Sequence, residues 1–137
     1  MAFFFRGPLG HALAAVVLLT SAGSAQEIGN PVAGQVVFQQ CAKCHFIGPG
    51  SPTTIAGPSL NGVIGRRSGT SGDYNFSPQL RSARLDWEAQ ALTRFLKSPR
   101  GFIPGTQMIF KGLSSQQDIA DVIAYIAQFD ETGAVKP

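Results

Sequence analysis

Apolar residues recur at helical spacing near the end of the chain. Ile119, Val122, Ile123 and Ile126 fall at i, i+3, i+4 and i+7, the period of one helix face. Ser114 and Gln117 stand ahead of them with capping-box spacing, which predicts a helix start there. Ala89, Leu92, Phe95 and Leu96 form a second stripe. Asp86 is its expected N-cap, with Glu88 in the first turn. Pro99 disfavours helical geometry in the residue before it, so this helix should end near Ser98. Asn30-Pro31 predicts a helix from about Pro31 to Cys44, and Ser77-Pro78 a short one ending near Ala83, since proline suits a first helical position. Phe102 to Thr106 reads as a turn-rich loop. Residues 46–73 are dense in glycine and proline. A loop of that length in a small domain points to a task such as covering a ligand. No convincing pair of strands is present. The pattern therefore predicts an all-α fold with long loops.

The N-terminus follows another pattern. A leader with one charge, Arg6, precedes the apolar run Ala12 to Leu19 and the small residues Thr20 to Ala25. This is the layout of a secretory signal, with cleavage expected after Ala25. The apolar run is shorter than the ~20 residues that span a bilayer. Residues 1–25 are thus expected to leave and residues 26–137 to form one domain. No later stretch is apolar enough for membrane insertion. The formal charge of +3 falls by one when Arg6 leaves, a balance too mild for a nucleic-acid partner. A domain this small buries a modest fraction of its surface and often relies on a cofactor or cross-link.

Cys41-Ala-Lys-Cys44-His45 is C-x-x-C-H, the attachment signature of c-type haem. Two thiols three residues apart at a helix end can reach two vinyl groups on one side of a porphyrin. His45 then falls under the iron. Zinc fails on ligand count, because a structural site takes four and only Cys41, Cys44 and His45 remain once His11 has left. A redox dithiol is the surviving competitor in an oxidising compartment; it leaves His45 unexplained and lacks a βαβ context. With no second histidine in the mature chain and Met1 in the signal, Met108 is the candidate sixth ligand. A lone methionine is commonly a core filler. Here the haem motif favours the axial reading, and thioether plus imidazole raises the potential and fills both axial positions.

An ordered set of motifs then resembles class I cytochrome c, the small soluble carriers of bacteria and mitochondria. The set comprises Gly34-x-x-x-Phe38, Cys41 to His45, Gly57-Pro-Ser-Leu60, Gly62-Val-Ile-Gly-Arg66, Tyr74-Asn75, Trp87, Pro104-Gly-Thr-x-Met108-x-Phe110 and Val122-Ile-Ala-Tyr125. The resemblance covers Gly34 to about Gln128. It implies helices and long loops wrapped around one haem c, held covalently through Cys41 and Cys44, with His45 and Met108 as iron ligands. It implies that Gly34 and Phe38 pack against Val122 and Tyr125, and that the Pro58 carbonyl meets the second nitrogen of His45, a contact that orients a ligand ring. Trp87 would bond a haem propionate through its indole N–H; a buried indole needs such a partner. Arg66 and Tyr74 would stand near the propionates, where Arg66 could neutralise a carboxylate. Thr106 lies in the Met108 motif, and Phe110 would lie at the haem edge. Phe76 and Phe95 stand where mitochondrial members place tyrosines, which implies a thinner hydrogen-bond network. Gln107 replaces a docking lysine.

The resemblance implies a soluble one-electron carrier, not an enzyme, located in the periplasm and monomeric. Lys43, Lys97, Arg100 and Lys111 would lie near the haem edge, with Asp118, Asp121, Asp130 and Glu131 elsewhere. Such separation steers encounters with redox partners that carry acidic docking surfaces. The alternative role is a dedicated cytochrome subunit of a periplasmic dehydrogenase or oxidase complex.

Overall fold

A computed structural model describes Met1 and residues 28–137. The expected signal, residues 1–25, lies outside the described residues apart from Met1. Among the described residues five helices follow one another: α1 Pro31–Phe38, α2 Pro78–Ser82, α3 Ala89–Lys97, α4 Pro99–Phe102 and α5 Gln116–Ile126. The only β pairing among the described residues is two isolated bridges, Arg67 with Asp86 and Phe129 with Val135.

The Asn30 side chain starts α1 by accepting from the N–H groups of Val32 and Ala33, at 2.9 and 3.2 Å. This satisfies two of the donors that a helix start leaves free. The helix stops at Phe38, six residues before the expected end at Cys44. Its last bonds shorten to the i→i−3 kind: the Cys41 N–H reaches Phe38 O at 2.8 Å and the Cys44 N–H reaches Cys41 O at 3.0 Å. Tightening of this kind is common at helix ends. It carries the chain through Cys41, Cys44 and His45 as successive turns.

Two expected caps fall elsewhere. Asp86 is drawn to Arg67, 3.3 Å away, so Glu88 becomes the N-cap of α3 without a side-chain bond. At α5 the cap is Ser115 rather than Ser114, its hydroxyl accepting from the Asp118 N–H at 3.1 Å. Gln117 turns away from the cap and bonds Ile28 O and Asp121. The helix α4 fills the gap between the expected helix end near Ser98 and the loop expected from Phe102, with Pro99 at its first position and the Phe102 N–H on Ser98 O at 2.9 Å.

The core forms where α1 crosses α5 and α3 packs beside α5. Gly34 faces the Asp121 carbonyl and the Tyr125 Cβ so closely that a side chain there would overlap both. The absence of a Cβ sets the distance between the two helices. The Phe38 and Tyr125 rings meet at a tilt of 54° with centroids 5.3 Å apart. Ile119 and Val122 are almost fully enclosed, at 1% and 2% exposure. Asp121 is also buried, so it adds nothing to an acidic surface. It accepts from Asn30 N–H at 2.7 Å and from Gln117 at 2.8 Å, tying the start of α1 to α5. On the far side, Trp87 packs on Phe95 with centroids 4.9 Å apart. No helix among the described residues is long and apolar enough to cross a membrane.

Candidate functional site

His45 follows α1 by one tight turn, with its N–H on Cys41 O at 2.9 Å. Its ring lies against residues 57–58. Nδ1 is 2.8 Å from Pro58 O. A carbonyl can only accept, so Nδ1 carries the proton and the Nε2 lone pair is left for a metal. Burial pushes the imidazole pKa below its usual value, and the Pro58 bond opposes this in part. The ring is therefore neutral at neutral pH, the form that ligates metals. Gly57 makes the approach possible. A Cβ there would sit 2.9 Å from the His45 ring and 2.7 Å from Cys44 O.

Cys41 is half-buried and Cys44 exposed, and they are not bonded to each other. Burial, and then the neighbouring Cys44, push the Cys41 thiol up to about 11. A dithiol working by exchange needs a depressed pKa, because the thiolate is the nucleophile. The buried Cys41 is therefore a poor attacking group. Among the described residues no group of three or more His, Cys, Asp or Glu is arranged to hold a metal alone. The donor set of two cysteines and one oriented histidine suits a porphyrin that brings four nitrogens of its own.

Met108 sits on the loop after α4, half-buried against the core. Its N–H reaches the hydroxyl of buried Thr106 at 3.4 Å. The next residue back pins this loop. Gln107 Nε2 donates to Tyr74 OH at 3.0 Å and to Asn75 O at 2.9 Å. Tyr74 in turn meets Phe76 edge-on, centroids 4.8 Å apart. The sequence reading placed Gln107 only as a substituted docking residue; its latch role comes from partners distant in sequence. Phe110 is half-buried beside the same core.

Trp87 is buried. Its backbone pairs with the 65–66 segment, Gly65 N–H to Trp87 O at 3.0 Å and Trp87 N–H to Arg66 O at 2.9 Å. Arg66 donates from Nη1 to Asn61 O at 2.8 Å. Burial lowers its pKa from the usual value, and Glu131 acts in the opposite direction. Two open clefts flank these residues. One of about 660 Å³ is lined by Thr53, Thr54, Tyr74, Asn75 and Gln107. The other, of about 380 Å³, is lined by Ser59, Asn61, Arg66, Ser71 and Glu131. Neither is lined by His45 or Met108.

The sequence profile of the family described as Cytochrome c matches residues 31–130. The chain belongs to the cytochrome c family. Cytochrome c-554 of Methylosinus trichosporium is 40% identical over 123 residues, covering 90% of this chain and 92% of the relative. Cytochrome c2 of Rhodomicrobium vannielii is 40% identical over 116 residues, covering 85% and 91%. Among solved structures, cytochrome cH from Methylobacterium extorquens superposes with a TM-score of 0.68 at 34% identity, covering 73% of this chain and 99% of that one. Cytochrome c2 from Rhodospirillum centenum gives 0.70 at 32% identity, covering 74% and 99%. The fold is thus the all-α cytochrome c fold. Membership makes this a monohaem electron-transfer protein, with haem c held through Cys41 and Cys44.

Proposed function

We propose that this cytochrome c is an exported, soluble one-electron carrier whose iron is ligated by His45 and Met108. The observation that carries the reading is the 2.8 Å contact between His45 Nδ1 and Pro58 O, directly after the two cysteines. It fixes the tautomer and aims Nε2 away from the loop. Haem c, when bound through Cys41 and Cys44, supplies a one-electron iron couple.

The chain's own residues do the rest. His45 is kept neutral and oriented. Met108, on a loop that Gln107 holds against residues 74–75, would supply the second protein ligand to the iron. With His45 and Met108 both as ligands the iron would have no vacancy for oxygen or peroxide, which favours a carrier over an enzyme. Trp87, Arg66, Tyr74 and Thr106 supply hydrogen-bond and charge partners for the propionate side, and Phe110 lies at the edge. Lys43, Lys97, Arg100 and Lys111 are all exposed. They form the docking face for redox partners with acidic surfaces. Residues 1–25 act as a cleaved export signal, and the mature protein works in the periplasm as a monomer.

Replacing Met108 tests the reading. Met108→Ala should abolish the weak long-wavelength sulfur-to-iron band of the oxidised protein, lower the reduction potential and admit exogenous imidazole. An unchanged spectrum and potential would remove Met108 from the site.

A further inference from the structure

The chain after α5 folds back on itself. Phe129 and Val135 pair in an antiparallel bridge, and the Lys136 N–H reaches Gln128 O at 2.7 Å. Asp130 Oδ1 organises the turn between them. It accepts from the Thr132 N–H at 2.8 Å, the Thr132 hydroxyl at 2.7 Å and the Ala134 N–H at 3.0 Å.

The tip of this turn docks beside the candidate site. Gly133 is buried, with φ +83°, and a Cβ there would meet Asn61 Nδ2 at 2.7 Å and overlap the Gly48 carbonyl. Only glycine fits both the backbone geometry and the space. The Asn61 amide brackets Gly48, accepting from its N–H at 2.8 Å and donating to its carbonyl at 2.9 Å. Gly48 lies shortly after His45 and Asn61 shortly after Pro58 in the chain. The clasp therefore closes over the two strands of chain whose contact orients the histidine. Glu131 rides on the same turn. A Cβ on Gly62 would lie 2.6 Å from Glu131 Cγ, and Glu131 shares the cleft of about 380 Å³ with Arg66.

We propose that residues 129–136 are a tuning clasp, in which Glu131 is a positioning residue that offsets the charge of Arg66 and so lowers the reduction potential of the site. The inference rests on the reading of Arg66 as a neighbour of the cofactor's carboxylates. A positive charge near a redox centre favours the reduced form, which holds one more electron. A carboxylate beside that charge weakens its effect. Glu131 is exposed, so its influence is screened by salt. That screening separates it from a purely structural role.

Voltammetry of the haem-loaded protein tests the proposal. Glu131→Gln should raise the midpoint potential at low ionic strength, and the shift should shrink as salt is added. Its visible spectrum and melting temperature should match the wild type. Arg66→Gln should move the potential the opposite way, downward, and adding Glu131→Gln to it should bring the potential back towards the wild type. No shift at low salt overturns the clasp's electrostatic role. An Arg66→Gln variant whose potential does not fall overturns Arg66 as the charge that Glu131 offsets. If Arg66→Gln fails to load haem, the salt titration of Glu131→Gln alone decides, and a salt-independent shift overturns the proposal. A wild type that lacks a c-type haem spectrum overturns the site reading itself and the clasp with it.

Discussion

The crossing of α1 with α5 and the loops around His45 and Met108 are held by different physics. The helix crossing is apolar and shape-determined. Ile119 and Val122 are enclosed, and Gly34 lets two backbones touch. The site loops also send Ile47, Leu60, Met108 and Phe110 against the core, but they are located by side-chain hydrogen bonds: His45 to Pro58, Gln107 to Tyr74 and Asn75, Asn61 to both backbone groups of Gly48. One region is made stable by what it excludes. The other is positioned by polar contacts that a covalent cofactor can reinforce.

The largest effect should come from breaking the scaffold. Gly34→Val would drive a branched side chain into the Asp121 carbonyl, and backbone cannot yield as a side chain does. Overpacking of this kind costs ~3 kcal/mol, which lowers the melting temperature by on the order of 15 °C in a domain of this size. Thermal melts of the haem-loaded protein, followed by circular dichroism, check it. A variant that melts with the wild type would show that the crossing can widen freely.

A smaller effect, of another kind, should come from the site loops. Gln107→Ala removes two hydrogen bonds from one side-chain amide. The stability loss should be about 1 kcal/mol, the usual net worth of a neutral hydrogen bond. The functional change should exceed the thermodynamic one: imidazole should bind the oxidised protein faster, because the Met108 loop is no longer pinned. Stopped-flow mixing with imidazole measures this. An unchanged rate would mean that Gln107 does not control the loop.

The smallest effect lies in the tail. Asp130 has a pKa below the usual aspartate value, chiefly through the Thr132 hydroxyl; desolvation opposes this, and the N–H groups of Ala134, Thr132 and Gly133 add to the lowering. A lowered folded-state pKa gives stability that is present at neutral pH and is lost as the pH falls below about 4 and the carboxylate is protonated. Asp130→Asn should flatten this acid limb by lowering the melting temperature slightly near neutral pH while leaving it unchanged in acid. A series of melts across the acid range decides between the two.

The same division explains what the sequence disclosed. The α5 stripe and the Asn30-Pro31 start of α1 were legible because apolar period and capping are local. The cap of α3 was not, because Asp86 is claimed by Arg67, a residue from another loop. Asp121 read as a surface acid because its burial depends on Asn30 and Gln117 meeting it. At the site, C-x-x-C-H marked Cys41, Cys44 and His45 outright. The roles of Arg66, Tyr74 and Trp87 came only through family resemblance. The Gln107 latch, the Gly57 contact and the Asn61–Gly133 clasp depend on partners far apart in sequence. Gly57 alone carried a local sign, its place immediately before Pro58.

The central claim is that Cys41, Cys44, His45 and Met108 together hold one haem that exchanges single electrons. A spectroelectrochemical titration of the purified protein tests it most directly. The account predicts one reversible transition with a slope of ~59 mV per decade, the one-electron value, and a sulfur-to-iron band that appears only on oxidation. A slope near ~30 mV per decade, the value for a two-electron dithiol couple, with Cys41 and Cys44 open to alkylation, would contradict it.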